Sequence, residues 1–217
     1  MENDTIDAKK VGLLSAVLEE AMFDGFGYAS LRNGAKKTGL SQGELALIAP
    51  DGALSIIDYW FSLADEAMVS AVSAQTSFKI REKATFAIRT RLEYFAQNKE
   101  ALRKAIIHLS LPQNAKRGLE IGYRFADKAW RAFGDKSTDF NYYSKRTILL
   151  GVDMATVTFF LGDDSPNHND SWAFLDRRIE NIMQFEKAKA QFRKLTDNLP
   201  NPIPFLSKLR FGARPLP

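Results

Sequence analysis

The chain is 217 residues long, enough to bury a sizeable core, and its 45% hydrophobic and 26% charged residues are the make-up of an ordinary globular protein. Having no Cys, it excludes a disulfide framework, thiolate-bound zinc and a cysteine nucleophile, and its two His leave little for metal or acid-base work. The formal charge of +4 is unevenly spread: Thr38 to Ser77 holds five acids and no Lys or Arg, whereas Pro200 to Pro217 holds three cations and no acid.

The opening residues, MENDTIDAKK, have no apolar segment of a signal peptide and no Arg-rich amphipathic face, so a cytoplasmic start is expected. Val11, Leu14, Val17, Leu18 and Ala21 share one face and predict a helix from about Ala8 to Phe23, which DGFG ends. A second helix is expected from about Ser30 to Thr38, a turn at Gly39, and a short third helix that Ser41 caps and that ends near Pro50. In the fourth, Leu54, Ile57, Phe61, Ala64, Met68 and Ala71 recur at three- and four-residue steps, opposite Asp58, Ser62, Asp65 and Glu66. Helices follow from about Ile80 to Gln97, Lys99 to Leu109 and Asn114 to Phe133, with Pro112 enforcing the break in SLPQN.

The run TILLGVDMATVTFFLG, from Thr147 to Gly162, is interrupted by Asp153 and too short to span a bilayer, so it reads as the buried part of a helix from about Asn141 to Leu161. After the turn GDDSPNHND a long helix is expected from about Ser171 to Arg193, with Trp172, Leu175, Ile179, Ile182 and Met183 aligned. TDNLPNPIP then cannot continue a helix and reads as a linker to a brief amphipathic tail. No stretch alternates convincingly as a strand. The expected fold class is all-α, about ten helices in all. It comprises a three-helix head (1–51), a helical body (52–195), and a Pro-rich linker with its tail (196–217).

Four places invite a functional reading. The head has helix-turn-helix rhythm, but its third helix, SQGELALIA, offers Gln42 and Glu44 as polar tips and no cation, where DNA binding needs cations on phosphates. Lys36 and Lys37 precede the turn, and a dimer would combine weak half-site contacts, so DNA reading stays an alternative to a head kept for packing. Adjacent Asp163 and Asp164 read more simply as a helix stop and start than as a catalytic pair. No Glu-x-x-His pair, Gly-rich phosphate loop or Ser, His and Asp set is present, so neither an enzyme nor a cofactor or metal site is expected. His108 reads as a core histidine and His168 as exposed loop.

The body is rich in large apolar groups, which either fill its interior or line a ligand pocket between helices. If it is hollow, the lining residues expected are Phe86, Phe95, Ile106, Leu109, Phe125, Trp130, Phe133, Ile148, Val152 and Phe159. In the tail, Ile203, Phe205, Leu206, Leu209 and Phe211 supply a greasy side, with Lys208 and Arg210 pointing elsewhere. It either folds back on the body or anchors reversibly at an anionic membrane surface.

A helix-turn-helix head followed by an all-helical ligand body resembles TetR-type regulators, although ELALIA has none of the Thr, Tyr, Lys and His usual in their recognition helices. More specifically, GDKSTDFNYYSKRTILLGV (134–152) and DDSPNHNDSWAFLDRRIENIM (163–183) resemble the ubiquinone-biosynthesis lipid-binding accessory family, a TetR-like group that abandoned DNA binding. The resemblance implies a non-enzymatic homodimer that binds isoprenoid, quinone or other lipids in a hollow body. It implies membrane contact through a C-terminal amphipathic helix, and assistance to the di-iron hydroxylase acting on demethoxyubiquinone. By position it suggests a partner patch of Asp163, Asp164, Ser165, Pro166, Asp170, Trp172 and Arg177, with Trp172 either a partly exposed anchor or a cap on the core. The alternative is a TetR-type transcriptional regulator that senses a lipid.

Overall fold

The computed structural model describes the backbone of residues 2–138 and 140–197, and side chains over 6–138 and 141–184. Nine α-helices occupy the described residues, which contain no strand: α1 (Glu2–Asp24), α2 (Tyr28–Lys37), α3 (Gln42–Ile48), α4 (Ala53–Ser73), α5 (Ile80–Ala96), α6 (Lys99–Ser110), α7 (Ala115–Ala132), α8 (Phe140–Leu161) and α9 (Asn169–Asp197). A single 3-10 turn, Pro166–His168, precedes the last. The all-helical class read from apolar periodicity is therefore correct, and most helix ends lie within two residues of expectation. The first helix begins six residues earlier than Ala8, because NDTID carries no breaker to stop it.

Two units divide the chain, Met1–Asp176 and Arg177–Pro217. In the second, the described backbone is the part of α9 that ends at Asp197. The expected tail, with Ile203, Phe205, Leu206, Lys208, Leu209, Arg210 and Phe211, lies outside the described residues.

In the first unit, α1 packs along α2, and α3 follows a turn in which Gly39 takes φ 69°, a conformation that costs residues with a Cβ. Ser41 caps α3: its hydroxyl accepts from the Glu44 amide at 3.3 Å, and Glu44 Oε2 accepts from the Ser41 amide at 2.9 Å. α1 also packs on α6 and α4, so the head shares its core with the body. Phe26, between α1 and α2, stacks on Trp60 of α4 with ring centroids 6.4 Å apart. Trp60 and Phe61 both meet Phe95 of α5 at 4.9 Å. These rings are almost wholly buried, which stabilises the fold by about 1.5–3 kcal/mol for each large apolar side chain.

α4 packs on α5 and α7, and α7 on α8. A partly buried polar clasp around Arg146 fixes the last pair. Arg146 of α8 donates to Asp127 (2.7 Å) and Asp135 (3.3 Å), Lys145 to Asp135 (2.8 Å), and the Trp130 indole to the Lys145 carbonyl (3.0 Å). Burial alone raises the Asp135 pKa, but the bonds from Lys145, Ser137 and Arg146 outweigh it and hold the group at about 2. The first of the two resemblance motifs thus includes the residues that join α7 to α8. No helix among the described residues is long and apolar enough to cross a membrane.

Candidate functional site

An apolar cavity of about 330 Å³ lies between α4, α5, α6, α7 and α8. Helical spacing explains its walls. α6 contributes Leu102, Ile106 and Leu109, one face of a helix, and α8 contributes Leu150, Asp153, Met154, Val157 and Thr158 at steps of three, one, three and one. α7 adds Ala115, Gly118, Leu119, Ile121 and Gly122, so much of its wall is small. A Cβ on Gly118 would stand 3.2 Å from the Leu109 carbonyl oxygen, so the close approach of α7 to α6 depends on this glycine. Leu119 and Met154 are both more than half exposed, which opens the cavity to the surface between α7 and α8.

Two ionic side chains interrupt this wall, Arg91 and Asp153. Both are buried and bonded to each other, Arg91 Nη1 donating to Asp153 Oδ2 at 2.9 Å. Arg91 Nε donates to buried Asp65 at 2.9 Å, and the guanidinium lies 4.3 Å from the Phe125 ring centroid. Asp65 also accepts from Arg124 (3.3 Å), Arg124 bonds Asp58, and Asp58 accepts from Arg117 (2.8 Å). Charges therefore alternate from Arg117, 39% exposed, inward to Asp153. At the inner end, Asp153 Oδ1 is buried and has no hydrogen-bond partner among the described residues. An unmade bond of this kind costs about 1–3 kcal/mol. Burial, followed by the repulsion of Asp65, raises the Asp153 pKa against the pull of Arg91; Arg91, shared by two carboxylates, is held charged despite its own burial.

Of the lining residues expected from sequence, the cavity brings together Phe95, Ile106 and Leu109. Phe125, Val152 and Phe133 are buried elsewhere in the body, Phe133 against the half-buried Trp130 at 5.3 Å. Phe86 is half-buried and meets Phe78 edge-on at 5.6 Å. Ile148 and Phe159 are exposed, and Phe159 stacks on Phe174 at 4.5 Å. Arg91, Asp153, Gly118 and Gly122 were not expected. The one available signal was Asp153 itself, a lone acid within an apolar helix.

The DDSP turn is a second constellation. Asp163 is buried; its Oδ1 accepts from the Ser165 amide (2.8 Å), and its Oδ2 from the Ser171 amide (2.9 Å) and hydroxyl (2.5 Å). Ser165 Oγ accepts from the Asp170 amide at 3.0 Å. Two orphan amides in the first turn of α9 are thereby satisfied. Burial works against ionisation of Asp163, but the bonds from Ser165 and Ser171 outweigh it and hold its carboxyl far below the usual range. From α6, Lys99 donates to the Asp163 carbonyl and Arg103 to the Leu161 carbonyl, completing the end of α8.

Asn167 and His168 take φ 54° and 56°, unusual for residues other than glycine. The turn they form lets the Trp172 indole donate to the Asn167 carbonyl at 2.8 Å and seats His168 4.5 Å from Phe160. His168 is thus half-buried by ring packing, not the exposed loop residue expected. Trp172 is 8% exposed, with Arg89 over its ring at 5.0 Å, so it is a cap on the core more than a partly exposed anchor. His108 is half-buried near the end of α6, where burial lowers its pKa. Asp163, Asp164, Ser165 and Asp170 line one open groove together with Phe159 and Phe174. Asp164, Pro166 and Asp170 are exposed, and Arg177, also exposed, begins the second unit.

In the head, the outward residues of α3 are Gln42, Gly43, Ala46 and Leu47, with no cation among them. Lys9 bonds Glu44 at 2.5 Å, and this contact, with Ser41, lowers the Glu44 pKa to about 2. Lys37, beside the turn, is paired with Glu19 (3.2 Å) and Glu20 (2.7 Å). No group of three or more His, Asp or Glu among the described residues is placed to hold a metal ion.

Comparison with known proteins gives a family similarity over part of the chain and a fold. Residues 115–186 match the COQ9 family model. The chain is 28% identical over 195 residues to the mitochondrial ubiquinone biosynthesis protein COQ9 of Rattus norvegicus, covering 86% of this chain and 62% of that protein. To the Homo sapiens protein of the same name it is 26% identical over 195 residues, 86% of this chain and 61% of that one. It thus spans about six-tenths of the length of these relatives. A TetR transcriptional regulator from Nitrosomonas europaea superposes with a TM-score of 0.64 at 18% identity, covering 79% of this chain and 95% of that one, which shows the TetR-like fold. The resemblance to the ubiquinone-biosynthesis family, carried in the sequence by two motifs, is borne out by these matches.

Proposed function

We propose, from the chain's similarity to the COQ9 family, that the protein acts in ubiquinone biosynthesis as a non-enzymatic lipid carrier. It binds an isoprenoid or quinone lipid in the body and presents it to the membrane-associated di-iron demethoxyubiquinone hydroxylase. The observation that carries this reading is the cavity: about 330 Å³, walled mainly by apolar side chains and small residues, and open at Leu119 and Met154. Each methylene transferred from water into such a space contributes about 0.8 kcal/mol. The helical head (1–51) is retained for folding, the body (52–195) holds the cargo, and the tail (196–217) touches the membrane peripherally through its apolar and basic residues.

The groove at Asp164 and Asp170 is the surface offered to the hydroxylase, with Asp163 and Ser165 in its lining and exposed Pro166 and buried Trp172 in the same turn and helix start. Arg177, which sequence position adds to this patch, belongs to the second unit. A homodimer buries part of α8, at the exposed Ile148. The described face of α3 supports this reading over a regulator that senses lipid, because it presents no cation to phosphate.

Mass spectrometry of organic extracts from purified protein tests the proposal, with Val157→Phe as the control that fills the cavity. Isoprenoid or quinone lipid in the wild-type extract and its loss from the variant are expected; empty wild-type extracts, or a nanomolar specific complex with the protein's own upstream DNA, would refute it.

A further inference from the structure

The inner end of the cavity is chemically unlike its walls. An alternating series of ion pairs reaches it from the surface, Arg117 to Asp58 to Arg124 to Asp65 to Arg91 to Asp153, each acid standing between cations except the last. Asp153 has one cation, Arg91, and spends only Oδ2 on it. Its Oδ1 is buried and has no partner among the described residues, while the residue itself lines the cavity. Three acids and three arginines balance in charge, so the series does not call for an ionic ligand. What it lacks is one hydrogen-bond donor, and a carboxylate oxygen accepts but cannot donate.

Resting on the lipid-carrier reading, we infer that the cavity selects cargo by a hydroxyl at its inner end, which donates to Asp153 Oδ1 while an aliphatic tail leads out past Leu119 and Met154. The ligand class is an alcohol or phenol bearing a hydrocarbon chain. For a cargo that exists as hydroquinone and quinone, the reduced form carries the donor and the oxidised form has acceptors only. The pocket therefore favours the reduced form. The hydroxyls that line the cavity, Ser110 and Thr158, donate to the Ile106 and Met154 carbonyls of their own helices.

The test uses the full chain and a matched pair of probes, farnesol and farnesyl methyl ether, whose tails are identical and of which only the first can donate. Affinities are measured by calorimetry for wild type and for Asp153→Asn, which keeps the shape but replaces the carboxylate. A hydrogen bond to a charged acceptor predicts about tenfold tighter binding of the alcohol by wild type, and a preference reduced to near unity in the variant. Should the variant fail to fold, the wild-type pair still decides. Equal affinity for alcohol and ether in wild type would overturn the hydroxyl reading and leave the lipid carrier standing. Binding of neither probe would overturn both.

Discussion

Asp163→Ala is the perturbation for which the structure fixes the outcome most closely. The buried carboxylate accepts from the Ser165 amide, before the 3-10 turn, and from the Ser171 amide and hydroxyl, in the first turn of α9, at 2.8, 2.9 and 2.5 Å. Removing it strands donors in a region that water does not reach, and removes a negative charge from the positive end of a helix. Loss of a cap costs about 1 kcal/mol and loss of a bond to a charged acceptor about 1.5–3 kcal/mol. Because one carboxylate makes all three bonds, their losses are not additive, and a net destabilisation of about 2–4 kcal/mol is expected.

The acid limb follows from the direction of the shift. Asp163 has a folded pKa far below its unfolded value, so its contribution is complete above the unfolded pKa and is lost as pH falls toward the folded one. Urea unfolding followed by circular dichroism should show the gap between wild type and variant at neutral pH, narrowing as pH falls from about 4.5 to 3. A neutral-pH loss under about 0.5 kcal/mol, or a gap that stays constant through that window, would refute the capping role.

Trp172→Lys, which an exposed docking anchor would tolerate, should lower stability by about 3 kcal/mol or more, because the ring is 8% exposed and bonded through its indole; near-native urea unfolding would return it to the surface. Asp164→Lys, at a fully exposed side chain, should leave stability within about 0.5 kcal/mol of wild type. The same change should weaken capture of the hydroxylase in a pull-down; undiminished capture would remove the groove from the docking surface. Gly118→Ala should lose about 1–2 kcal/mol despite the better helix propensity of Ala, because its Cβ meets a backbone carbonyl at 3.2 Å. A thermal melt at or above the wild-type temperature would show that α6 and α7 separate easily.

The helices and their ends were legible in the chain because each signal is local. Apolar residues at three- and four-residue steps declare a buried face, Ser41 three residues before Glu44 declares a cap, and Pro112 declares a break. The missing cation on α3 was legible for the same reason, and so were Phe95, Ile106 and Leu109 as members of an inward face. What apolar periodicity does not carry is whether facing helices meet. Phe125 and Val152 have the same pattern as Leu109, yet they fill space while Leu109 borders a cavity.

That distinction was made by the tertiary structure, through residues that signal nothing individually. Gly118 and Gly122 draw a thin wall, and Arg91, 62 positions before Asp153 in the chain, turns an acid that seemed only to interrupt an apolar run into the inner pole of a cavity. The DDSP turn shows the same division. Sequence marked it as a stop and a start, but only packing could show that Asp163 caps α9 from below while Asp164 faces water. Helix formation is decided by neighbours within one or two turns, whereas a cavity, a buried ion pair and the burial of a single carboxylate depend on which distant surfaces the folded chain brings into contact.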